Sequence, residues 1–162
     1  MSEMQVPLYT SFKSNNMDII YFEKNYSLPL TMAPAAEKTI YEFLRDTNTK
    51  PSDYDMILTG DLGLTGSELL YELMIREHSI DIKKYHKDCG LLIYDLEEQD
   101  VNSGGSGCGC SGSVLCSHIM KRMRNNKLKK VLFVATGALM SPTSSKQGNT
   151  IPSIAHAVLL EV

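Results

Sequence analysis

The sequence predicts an α/β layered fold: a thin stack of helices on a mixed, mainly parallel sheet that ends in an antiparallel strand. Three observations carry this. Short apolar stretches alternate with helical ones in the order β-α-β-α-β-α-β-β, and strands alternating with helices favour parallel pairing through crossovers. Two apolar runs, "CGLLIYDLE" and "KKVLFVATG", are nearly free of polar residues, as strands buried on both faces are. The loops richest in Gly, Ser and Thr, Gly60 to Gly66, Asn102 to Ser111 and Gly137 to Thr150, all follow predicted strands.

The elements follow in order. Met17 to Glu23 alternates loosely and is β-branched enough for a strand. The sequence before it is polar and irregular, so residues 1–29 read as an N-terminal arm with one strand, and residues 30–162 as the domain. Pro34 suits the first turn of a helix, where its missing N–H is not needed. From Ala35, the residues Ala36, Ile40, Phe43 and Leu44 recur at helical spacing to about Thr47. Met56 to Thr59 forms a strand ended by Gly60, and "DLGLTG" is a turn. Ser67 is placed to cap the helix "SELLYELMIREH". "SIDIKKYHKD" reads as a connector, with His78 and His86 in solvent, and "CGLLIYDLE" as the next strand. The helix "SVLCSHIMKRMRNNK" puts Val114, Leu115, Ile119 and Met123 on one face. "KKVLFVATG" and "SIAHAVLLEV" are the last two strands, antiparallel across the connection "ALMSPTSSKQGNTIP".

Composition narrows the function. A chain of 162 residues fits one domain with a real core. Its net charge of −3 offers no electrostatic case for nucleic acid. No apolar run approaches the roughly 20 residues of a membrane span. "MSEMQVPLYT" lacks the features of a secretory signal, so Cys89, Cys108, Cys110 and Cys116 are expected to be reduced cytosolic thiols.

The stretch "NSGGSGCGCSGS", Asn102 to Ser113, is the most unusual. As a metal site it has a single Cys-x-Cys pair where structural zinc wants two, so no metal is expected. As a phosphate cradle it lacks the P-loop lysine and the dinucleotide glycine spacing, although free N–H groups at a helix start favour an anion. As a nucleophile loop it would need a base, and His118 or His156 are the choices. Its glycines also serve simply to admit a helix close to a sheet.

Several segments carry a resemblance. "KPSDYDMILTG" resembles the entry to the strand that bears the first catalytic loop of ketoacyl synthases, enzymes of the thiolase fold. More closely, "TMAPAAEKTI", "DYDMILTGDLG", "GSELL", "DCGLLIYD", "QDVNSGGSGCGCSGSVL", "KKVLFVATGALMSPTSSKQG" and "IPSIAHAV" resemble the stage V sporulation protein AD family of endospore formers. Together they span about Leu30 to Val162.

The resemblance implies a thiolase-like C-terminal half and a part in moving dipicolinic acid, a small aromatic dicarboxylate that the family binds. It implies work with other stage V sporulation membrane proteins, in the cytoplasm and peripheral to the forespore or spore inner membrane. It does not imply an enzyme or a cofactor. Where active synthases of this fold carry a histidine, this chain has "TGDLG", with Asp61 near that place. The fold's nucleophilic cysteine comes from an N-terminal half that this chain does not include, and Cys108 and Cys110 are wrongly placed to replace it. A lone half exposes apolar helix surface, so a homodimer or pairing with an N-terminal half is expected. The expected ligand contacts are Asp61, Gly107, Cys108, Gly109, Ser111, Thr136, Gly137, Ser141 and His156. Two alternatives remain: a docking module with a patch on Met120 and Met123, and an acyl-thioester enzyme acylated on Cys108 or Cys110.

Overall fold

The computed structural model describes residues 8–12, 20–22, 28–104, 107–138, 147 and 151–162. The elements are β1 (Leu8–Phe12), β2 (Ile20–Phe22), α1 (Leu28–Asp46), β3 (Met56–Thr59), α2 (Gly63–His78), β4 (His86–Asp88), α3 (Cys89–Ile93), α4 (Cys108–Val114), α5 (Met120–Arg124), β5 (Lys130–Ala138) and β6 (Ile151–Glu161). The sheet order is β1-β6-β5-β3-β4, with β2 also on β6. β3 runs parallel to both β4 and β5. β6 is antiparallel to β5, and β1 and β2 pair antiparallel with its two ends. The predicted parallel centre and antiparallel C-terminal strand are both present.

Alternation along the strands assigns the two faces. Ile57, Leu132, Val134 and Ala157 meet Ile40, Phe43, Leu70 and Met74 of α1 and α2. Met56, Leu58, Val131 and Leu160 meet Cys110, Val114, Ile119 and Met123 on the other side. The protein is thus three layers, helix on sheet on helix. Burying a side chain such as Ile40 or Phe43 contributes roughly 1.5–3 kcal/mol each.

The second helical layer depends on a local irregularity. Between α4 and α5, Leu115–Ile119 forms a π-helical stretch, and the Met120 N–H donates to the Leu115 carbonyl. In a regular helix the residue four beyond Val114 would be His118. The π stretch inserts one residue, so Ile119 is fully buried and His118 is exposed. Met123 then follows four residues later, also buried. Met123 and half-buried Met120 therefore belong to this core rather than to a surface docking patch.

Five local expectations are corrected. Cys89–Ile93 is a short helix, and the strand is the preceding His86–Asp88. The physical reason is Asp88, whose carboxylate accepts from the N–H groups of Gly90 and Leu91 and so caps a helix. Consequently His86, expected in solvent, is 2% exposed. α1 begins at Leu28, so Pro34 lies inside it rather than at its start. α2 begins at Gly63, which takes the left-handed φ of 62°, so Ser67 is buried inside the helix and is not its cap. α4 begins at Cys108, so part of the glycine-cysteine stretch is already helix.

Candidate functional site

At the carboxyl ends of the parallel strands, three segments meet around Asp61. It follows β3 and is half-buried. The Thr136 hydroxyl, near the end of β5, donates to its Oδ1 at 3.2 Å, and the Gly107 N–H, just before α4, also donates to it. The approach is close enough to require glycine at position 60. A Cβ there would lie 2.9 Å from Thr136 Oγ1, 3.3 Å from the Thr136 nitrogen and 3.6 Å from the Ser111 Cβ. Burial pushes the Asp61 pKa up, and the charge of Asp88 adds to this against the two hydrogen bonds.

Beside it lies a buried network that sequence reasoning missed. Asp88 ends β4 opposite Thr59, the last residue of β3. Its Oδ2 accepts from the Thr59 hydroxyl at 2.7 Å and from the Leu62 N–H at 2.8 Å. Its Oδ1 accepts from Gly63 and Gly90 at 3.0 Å each and from Leu91 at 3.4 Å. One carboxylate thus satisfies free N–H groups at the start of both α2 and α3. Burial raises its pKa and the donors oppose that. As a carboxylate it accepts from all five of these groups, and they favour its ionised form against burial.

The polarity of the network follows. Thr59 gives its only hydroxyl proton to Asp88, so toward His86 Nε2, 2.9 Å away, it accepts. Nε2 therefore carries the hydrogen, and Nδ1 accepts from the Tyr71 hydroxyl at 2.8 Å. The chain runs in one direction, Tyr71 to His86 to Thr59 to Asp88. Burial depresses the His86 pKa to about 3, so the ring is neutral.

The loop after α3 is laid over both helix starts. The Leu64 N–H donates to the Ser103 carbonyl at 2.7 Å, and a Cβ on Gly90 would stand 2.1 Å from the Gly104 oxygen. Asp88 and this loop thus hold Leu62, Gly63 and Leu64, the residues that follow Asp61.

The structure brings together Asp61, Gly107, Ser111 and Thr136 of the expected contacts. Gly109 is exposed on α4, and Cys108 is the first residue of that helix. Gly137 pairs with Ile154 one residue beyond Thr136. His156 is exposed opposite Ala135, whereas Thr136 is opposite Ala155, so His156 and Thr136 project from opposite faces of the sheet. Ser141 lies outside the described residues. Cys89 and Cys110 are buried in the core and Cys116 is exposed. Among the described residues, no three His, Cys, Asp or Glu side chains gather as a metal set.

Fold and cluster together define a layered α/β protein with a polar site at the carboxyl ends of its parallel strands, the place where open sheets of this kind receive small ligands. Comparison with known proteins identifies the group within that class. The chain belongs to the Stage V sporulation protein AD family, whose model matches residues 5–161. It is 48% identical over 136 residues to Stage V sporulation protein AD of Bacillus subtilis (strain 168), an alignment covering 84% of this chain and 40% of that protein. The chain therefore spans less than half the length of this relative. Membership carries a sporulation-related role. Among the described residues no helix is long and apolar enough to cross a membrane.

Proposed function

We propose that the chain is a non-catalytic part of a sporulation system that moves dipicolinic acid, and that the cluster around Asp61 contacts dipicolinate or a similar small dicarboxylate. The observation that supports this reading most is the convergence of two strand ends, those of β3 and β5, and the start of α4 on one half-buried polar point. The Ser111 hydroxyl and the Gly109 N–H supply donors that a carboxylate needs, and the Thr136 hydroxyl and Gly107 N–H, which donate to Asp61 in this structure, join them when Asp61 releases them. Asp61 as an anion opposes a dicarboxylate. Its raised pKa favours taking up a proton as the ligand arrives, which turns it into a donor. Binding then takes up a proton and weakens as pH rises through the Asp61 pKa. In this reading the chain works with stage V sporulation membrane proteins at a membrane surface.

The test is calorimetry of the metal-free chain with dipicolinate, using isophthalate as the control. Metal must be excluded because dipicolinate chelates cations. Saturable, dipicolinate-selective heat is expected, weaker in Gly107→Val and in Thr136→Val. Gly107 has φ of 78° and open space at its Cβ position, so valine there both strains the turn and fills the approach. Absence of heat from folded protein would remove the claim that this chain alone binds.

A second reading, a docking module, draws on exposed Leu64, Leu92 and Ile93, at 43%, 40% and 45%. It predicts a stable dimer or heteromer and no ligand heat.

A further inference from the structure

We infer that the corner formed by α5, the turn after it and the start of β5 docks the protein on an anionic lipid surface. The distribution of charge carries this. From Val101 to Leu160 the chain has no acidic residue. Within that stretch Lys121, Arg122, Arg124, Lys127, Lys129 and Lys130 fall inside ten positions, out of 16 basic residues in a chain of net charge −3.

The fold gathers these side chains on one corner. Asn126 takes a left-handed φ of 54°. Its N–H donates to the Met123 carbonyl and the Lys127 N–H to the Arg122 carbonyl, each at 2.9 Å. This double bond pattern turns the chain back on the helix end. Met123 and Leu128 are buried and anchor the turn, while Lys121, Arg124, Lys127 and Lys129 are exposed. Nearby acids neutralise only part of it. Glu161 pairs with Lys130 at 3.0 Å, and Asp55 accepts from the backbone N–H groups of Lys129 and Lys130. Among the described residues no ion pair engages Lys121, Arg122, Arg124 or Lys127. One cation near a helix C-terminus is ordinary dipole compensation; four with no ion pair among the described residues exceed it.

A lipid surface fits better than a polynucleotide. No Phe, Tyr or Trp lies between Val114 and Leu132 to stack on bases. The opposite, carboxyl end of the strands carries Asp61 and Asp88 and, in the loop after α3, Asp95, Glu97, Glu98 and Asp100. Six residues of β5 put that end about 20 Å away, beyond the screening length of about 8–10 Å at physiological salt. A flat anionic surface touches the basic corner alone, whereas a wrapping polyanion would meet the acidic end.

The inference rests on the reading that the chain works at a membrane, and it names the face. It is tested by sedimenting the full chain with phosphatidylglycerol-containing vesicles and with phosphatidylcholine vesicles. Binding to the former only is expected, and it is lost at about 1 M salt, where the screening length is about 3 Å. Each basic side chain near such a surface contributes about a five-fold change in partition, so Lys121→Glu/Arg124→Glu/Lys127→Glu should weaken binding by about a hundred-fold or more. Its melting curve and its dipicolinate heat should match the parent's. The charge-matched control Lys83→Glu/Lys84→Glu/Lys87→Glu alters exposed lysines on the β4 side and should bind vesicles far better than the α5 variant.

If the parent chain ignores anionic vesicles, both the contact and the membrane reading fail. If the α5 variant still binds, or both variants lose binding equally, the face is wrong while the membrane reading stands. Tighter retention by duplex DNA than by vesicles at the same salt would overturn lipid as the partner.

Discussion

His86 provides the most exacting test of the buried network. The ring is 2% exposed, gives Nε2–H to Thr59 and accepts from Tyr71 at Nδ1. Its pKa falls from an ordinary 6.5 to about 3, with burial as the main cause and the neighbouring Lys87 charge adding to it. The sign follows from proton counting. Below 6.5 the unfolded chain binds a proton that the native state refuses, so stability is full above 6.5 and is lost as pH falls toward 3. Between pH 6.5 and about pH 4 that gap costs about 3 kcal/mol, at 1.36 kcal/mol per pH unit. This is a large share of the roughly 5–15 kcal/mol of a typical domain. The assay is urea unfolding followed by circular dichroism from about pH 7 to about pH 4, on the parent and on His86→Gln. Glutamine can keep a donor toward Thr59 and an acceptor toward Tyr71 but does not titrate. The parent should lose about 3 kcal/mol more than the variant over that range. Parallel stability curves, or an imidazole resonance of His86 that titrates near 6.5 in the folded protein, would refute the reasoning.

Other outcomes follow from the same geometry. Asp88→Asn sets an NH2 group against donors that now share a carboxylate, and should cost about 2–4 kcal/mol, read as a lower thermal midpoint. Gly90→Ala drives a Cβ into the Gly104 carbonyl and should destabilise by at least about 1–3 kcal/mol. Gly112→Ala, on exposed α4 with nothing within 4 Å, should stabilise by about 0.5–1 kcal/mol in the same melting assay. Asp55, whose pKa is lowered by the N–H groups of Lys129 and then Lys130, contributes stability above the ordinary carboxylate value that is lost as pH falls through its lowered pKa. Asp55→Asn should therefore be less stable than the parent at neutral pH and converge with it in acid denaturation.

Much of the fold was legible because hydrophobic period and length agree. The helix through Ile40 and Phe43 obeys one period and buries the residues it selects, whereas Met56 to Thr59 and the run from Lys130 were legible as short apolar runs of strand length. "CGLLIYDLE" was misread because apolarity without a period does not separate a buried strand from a helical turn. The deciding signal was polar: an aspartate immediately before that run. In the same way "HKD" looked like connector sequence, although its alternation of buried His86, exposed Lys87 and buried Asp88 is that of a strand. Of the site, the meeting of Asp61, Gly107, Ser111 and Thr136 could be anticipated from loops at strand ends. The line from Tyr71 through His86 and Thr59 to Asp88 could not, since it joins two strands and a helix whose proximity only the sheet order supplies. His156 was expected at the site for want of a register; pairing with Ala135 rather than Thr136 turns it to the other face.

The position of β6 has a consequence for how the chain is made. Leu8 pairs with Leu160 and Ile20 with Ser153, separations of about 150 and about 130 residues, and contacts so distant in sequence form late. At about 5–20 residues per second on the ribosome, β1 and β2 wait roughly 10–30 s for the strand that orders them. β5, Lys130–Ala138, is made only shortly before β6, so its apolar edge stays unpaired for about 1–5 s at that rate. The arrival of a single strand therefore closes the β5 edge and gives β1 and β2 their place.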